Sequence, residues 1–173
     1  AIVGTLGLAF LAACHIVYAF ILTAQNRRAR GNERYAVTSR RPEVSWASQN
    51  MLVLGLIILL GLLLHLFNFW YNMMFAEIAN LSTSIEPTDG FGWIEQTFSN
   101  PVYVVLYLVW LAAIWFHLTH GFWSALQTLG WSGKLWFSRW KCIGNAYATV
   151  LILMFAAVVV CFWARSLCCG ACC

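Results

Sequence analysis

The chain has 173 residues, of which 62% are hydrophobic, 16% aromatic and only 9% charged, with a net charge of +4. A soluble domain carries about 25% charged residues, so this chain has too little polar surface to cover a soluble globule. Its apolar residues fall in runs long enough to cross a bilayer, which predicts an integral membrane protein and excludes a soluble bundle with a greasy core.

The first predicted span covers 2–24. A basic loop over 25–45 follows, "NRRARGNERYAVTSRRPE", with Arg27, Arg28, Arg30, Arg34, Arg40 and Arg41. The second span covers 50–75, and an acidic loop over 76–100 carries Glu77, Glu86, Asp89 and Glu95 but no Lys or Arg. The third span, 101–129, is the longest and leaves room for tilt or protrusion. A second basic loop over 130–142, with Lys134, Arg139 and Lys141, leads to the fourth span at 143–164. Each span exceeds the ~20 residues that cross a hydrocarbon core. Backbone groups in lipid must be satisfied within the segment, so the spans are helices, and the absence of strand-like alternation removes an outer-membrane barrel. The expectation is an all-α transmembrane helical bundle, residues 1–173 forming a single membrane domain.

Nine of the ten basic residues lie in the two basic loops. The positive-inside rule places those loops in the cytoplasm and the acidic loop, with its Glu86-Pro87-Thr88-Asp89-Gly90 turn signal, on the other face. That rule already explains the asymmetry, so nucleic acid is not an expected partner, whereas membrane lipid is. A multi-pass protein of the inner (cytoplasmic) membrane is the predicted setting. The chain opens inside a span, with no Met and no polar leader, which predicts a further segment before Ala1.

The four histidines, His15, His65, His117 and His120, all fall inside predicted spans. An ionisable residue inside a span is a functional candidate, and its alternative is a structural hydrogen bond between helices. At about 1.5 Å per residue, His15 lies roughly 18 Å from Arg27 and His120 roughly 21 Å from Lys134. Their spans run in the same direction, so the two imidazoles sit at matching depth. His65 lies nearer the acidic face, in the other half of the bilayer. Two imidazoles at equal depth on separate helices suit the axial positions of a haem iron. Zinc wants more ligands than that depth supplies, and the absence of C-x-x-C-H excludes covalent attachment. Non-covalent haem b is therefore the predicted cofactor. His117 shares roughly one helix face with His120, and Gly121 favours His120 by leaving space for a porphyrin edge. Trp46, Ser48 and Lys134, near the same end, are candidates to meet its propionates.

The stretches "CHIVYAFILTAQNRRARG", "WASQNMLVLGLIILLGLLLHLFNF" and "HLTHGFWSALQTLGW" resemble the membrane-anchor cytochrome b subunit of succinate dehydrogenase and fumarate reductase, of the single-subunit, five-helix, two-haem type. The resemblance covers nearly the whole chain, and its most specific part is the His120-Gly121 pair. It implies that His15 and His120 match the second and fourth family helices and hold the inner haem. It implies that His65 matches the third and serves the outer haem, with its partner on a first family helix. It further implies flavoprotein and iron–sulfur subunits docked on the cytoplasmic side, and electron transfer to or from quinone, commonly menaquinone. The anchor itself has no active site for succinate. Some relatives carry a carboxylate two residues before the His-Gly histidine, where this chain has Leu118, which puts transmembrane proton movement in doubt. Two other readings stay open: the b-type quinol cytochrome anchor of another dehydrogenase, and a small proton-coupled transporter. The latter usually adds intramembrane acids, and the predicted spans hold none.

Two further features need an account. In the tail "RSLCCGACC", Cys168, Cys169, Cys172 and Cys173 match neither common zinc spacing, so the expectation is a nonnative or poorly ordered tail, with lipidation and metal binding as the alternatives. Trp46, Trp70, Trp93, Trp131, Trp136, Trp140 and Trp163 fall near span ends, as expected of interfacial anchoring rings.

Overall fold

The computed structural model describes residues 2–31, 45–133 and 135–170, and these are helical and connecting segments without strands. The described residues are all-α, and among them four helices are long and apolar enough to cross a membrane. The chain divides into two units, Ala1–Val44 and Ser45–Cys173.

The first unit contains helix α1 (Ile2–Arg30). It runs past the predicted end at 24 because nothing in the sequence stops it before Gly31, whose φ of 66° is the left-handed geometry of a helix terminus. Arg27, Arg28 and Arg30 thus occupy its last turn, where cations complement the helix dipole. The other arginines of the first basic loop, Arg34, Arg40 and Arg41, lie outside the described residues.

The second unit begins with a single turn, α2 (Trp46–Gln49), capped by Ser45. It continues with α3 (Met51–Ile78), α4 (Gly90–Phe98), α5 (Pro101–Thr128) and α6 (Trp136–Gly170). Within α3, Leu66–Phe75 forms a π-helix. Its Asn72 side chain donates to the carbonyls of Phe67 (3.0 Å) and Asn68 (3.1 Å), supplying extra partners where the backbone register is widened. Helix α3 ends at Asn80, which adopts φ 51° while Leu81 N–H reaches back to the Ala76 carbonyl at 2.9 Å. Asn tolerates that conformation better than most residues. As a result Glu77, expected in the acidic loop, lies in the last turn of a membrane-crossing helix.

The acidic connection also contains a helix. Asp89 Oδ1 accepts the Gly92 N–H at 3.0 Å and starts α4. Glu95 of α4 pairs with Arg165 of α6 at 3.3 Å, and the Arg165 guanidinium lies 4.9 Å from the Phe91 ring centroid. Arg165 is the one basic residue of the sequence outside the basic loops, and it is matched by an acid. Trp93 is buried, 6% exposed, and donates from Nε1 to the Glu86 carbonyl at 3.2 Å. It is packed inside the protein rather than left exposed like Trp46 or Trp131. At the other end, α6 starts at Trp136, ahead of the predicted span at 143, so Arg139 and Lys141 ride on its first turns.

Helix α5 packs against both α3 and α6. One core cluster joins Phe98, Val104, Tyr107, Leu111 and Val159, and a second joins Ala47, Leu54 and Ala113. Lipid tails are as apolar as these side chains, so close approach and interhelical hydrogen bonds must do the joining. Gly61 provides such an approach, because the Trp110 indole occupies the space that a Cβ at position 61 would take. Trp110 Nε1 donates to the Ile58 carbonyl at 3.0 Å. Trp115 Nε1 donates to Thr149 Oγ1 at 2.9 Å, tying α5 to α6.

Candidate functional site

His65 is the last residue of α3 before the π-helix begins. Its ring stacks on Trp110 with centroids 5.5 Å apart, and lies 5.2 Å from Phe69 and 6.3 Å from Tyr107. Beside it, Asn68 Nδ2 donates to the Tyr107 hydroxyl at 3.3 Å. The His65 Nδ1 atom is buried and makes no hydrogen bond among the described residues. Leaving such a group unsatisfied costs about 1–3 kcal/mol, which marks His65 as a strained position in the bundle. Departures from α-helical register are frequent at functional sites, and this one starts at the residue after the histidine.

His120 lies further along α5. Its Nδ1 is 3.4 Å from Ser45 Oγ. The ring meets Trp123 edge-on with centroids 4.7 Å apart, and Lys141 Nζ sits 5.1 Å from the same indole. A Cβ at Gly121 would meet nothing within 4 Å among the described residues, so the flank beside His120 is open to them. With Nδ1 engaged, Nε2 is the nitrogen left for a ligand. An open flank and an oriented imidazole fit what a porphyrin requires of a helix.

Compared with family models, curated proteins and solved structures, the chain matches none.

The second unit does not bring His65 and His120 together. His65 packs at the level of Tyr107 and Trp110, and His120 lies about 15 Å beyond Trp110 along α5. The two rings thus sit at separate levels along α5. His117 is partly buried one turn before His120. His15 lies on α1, in the other unit. Of the propionate candidates, Trp46 is exposed and meets Phe116 edge-on at 5.3 Å. Ser48 contributes its backbone N–H to Ser45 Oγ at 3.2 Å. Lys134 lies outside the described residues, as do Cys172 and Cys173.

Sequence reasoning misses Ser45 and undervalues Lys141. Ser45 has a readable signal: a serine directly before a helical run is a preferred N-cap. That signal announces a helix start and says nothing of a histidine much later in the chain.

Proposed function

We propose that this chain binds haem b within the membrane. In this reading it anchors a succinate dehydrogenase or fumarate reductase, passing electrons between an iron–sulfur subunit and quinone. The observation that carries the reading is the placement of two imidazoles at separate levels of one apolar bundle. One has a buried, unsatisfied Nδ1, and the other has an oriented ring beside an open flank.

His120 is proposed as one axial ligand of the inner haem. His15, at matching sequence depth on α1, is proposed as the other, and His65 as a ligand of the outer haem. When bound, haem supplies one-electron transfer between iron states, at a potential tuned by its axial ligands and their burial. The chain's residues hold and insulate it. Trp110, Phe69 and Tyr107 surround the His65 ring with apolar faces that exclude water. Trp123 covers one side of His120. Arg139 and Lys141, on the first turns of α6, belong to the face proposed to be cytoplasmic. There they would offer positive charge to an iron–sulfur subunit and its flavoprotein. The quinone is proposed to be menaquinone, on the family resemblance alone.

The test is a reduced-minus-oxidised optical spectrum of the purified protein, followed by haem quantification. His120→Ala and His15→Ala should each remove one haem's absorbance while helix content by circular dichroism is retained. Full haem content in both variants would refute the assignment, and loss in His117→Ala instead would move the ligand one turn along α5.

A further inference from the structure

We infer that Ser45 is the positioning residue of His120, its hydroxyl accepting the Nδ1 proton so that Nε2 faces the iron. This rests on the reading of His120 as a haem ligand.

Ser45 has extended backbone geometry, φ −64° and ψ 151°, and its Oγ accepts the Ser48 N–H. That fixes the hydroxyl in an N-cap position, where Ser is among the favoured residues. The short helix that it caps lies along one face of α5. Ala47 is buried against Ala113 and Leu54, Trp46 meets Phe116, and Ser45 meets His120. Ala113, Phe116 and His120 follow one another at helical spacing, so all three share a face. The Ser45 contact is therefore the last of three aligned contacts.

The hydroxyl's hydrogen-bonding capacity fits this role. It has two lone pairs and one proton. In the inferred arrangement it accepts from Ser48 N–H and from His120 Nδ1–H, which uses both lone pairs and places the imidazole proton on Nδ1. A ligating histidine generally gives its second N–H to such an acceptor, which fixes the ring and raises its basicity. Greater basicity favours the ferric iron and lowers the haem midpoint potential.

The experiment is a redox titration of the purified full chain, together with low-temperature EPR of the ferric haem, in Ser45→Ala, Ser45→Gly and Ser45→Thr. Gly is a fair N-cap, costing only a few tenths of a kcal/mol relative to Ser, but it offers no side-chain acceptor. Ser45→Ala and Ser45→Gly should both raise the midpoint of one haem, shift its low-spin EPR signal and weaken haem retention by roughly tenfold. Ser45→Thr should restore the parent values. Thermal stability should fall clearly only in Ser45→Ala. A parent-like midpoint in Ser45→Gly would show that Ser45 is merely a cap, and would overturn the inference while leaving His120 as a ligand. Full haem content in His120→Ala would overturn the ligand reading itself, and the role of Ser45 with it.

Discussion

Gly61→Ala adds one methyl group at the junction of α3 and α5. The new Cβ would fall on the Trp110 indole, at Cγ, Cδ1 and Nε1. That ring has little freedom to yield. Its Nε1 is bonded to the Ile58 carbonyl at 3.0 Å, one face is stacked on His65, and Tyr107 meets it edge-on at 5.7 Å. Overpacking of this kind costs about 1–3 kcal/mol, and a lost intramembrane hydrogen bond about 0.6 kcal/mol. The better helix propensity of Ala offsets up to ~1 kcal/mol of this. The expected net destabilisation with the full offset is therefore about 0.6–2.6 kcal/mol. Gly55 provides the control on the same helix, since a Cβ there meets nothing within 4 Å. Gly55→Ala should be neutral or stabilising. Unfolding by titration with SDS in detergent micelles, followed by circular dichroism, compares the two. Equal stability of Gly61→Ala and Gly55→Ala would refute the α3–α5 packing. A smaller ring should relieve the clash, so Gly61→Ala combined with Trp110→Phe should show favourable coupling in a double-mutant cycle.

Thr149→Val removes the acceptor of Trp115 Nε1 and should lower stability in the same assay by about 0.6 kcal/mol, and by no more than about 1.7. Arg165→Gln breaks a pair whose side chains are 54% and 41% exposed, so it should cost under about 1 kcal/mol and the effect should shrink in high salt. Gly121→Leu places a side chain in the open flank beside His120. Haem content should fall while the unfolding midpoint stays near that of the parent, and undiminished haem would argue against a porphyrin there. A crosslinker at Ser138 should capture an iron–sulfur subunit and one at Thr88 should not; capture from Thr88 alone would reverse the proposed orientation.

Four spans, their helical nature and the position of every histidine within them are legible in the hydropathy of the chain. Membrane insertion responds to apolarity summed over about 20 neighbouring residues, and such a sum is a local property. The charge asymmetry of the loops is equally local. Helix ends are less legible. Gly31 and Asn80 carry the stop conformations, yet apolarity fades several residues before each of them. Hydropathy marks the edge of the apolar run and not the end of the helix.

Contacts between residues distant in sequence are another matter. Trp93 has the sequence position of an interfacial ring and is packed inside the protein. Trp110 finds its acceptor on α3 and its space at Gly61, while Ser45 finds His120 on α5. Hydrocarbon surrounds every apolar face alike, so hydropathy alone does not choose which faces meet. That choice falls to a missing Cβ, an indole N–H or a hydroxyl at the right height. The order of residues is enough to make this chain cross a membrane and carry imidazoles there. Which ring nitrogen of His120 is held, and which nitrogen of His65 is left unsatisfied, depends on the helices that meet around them.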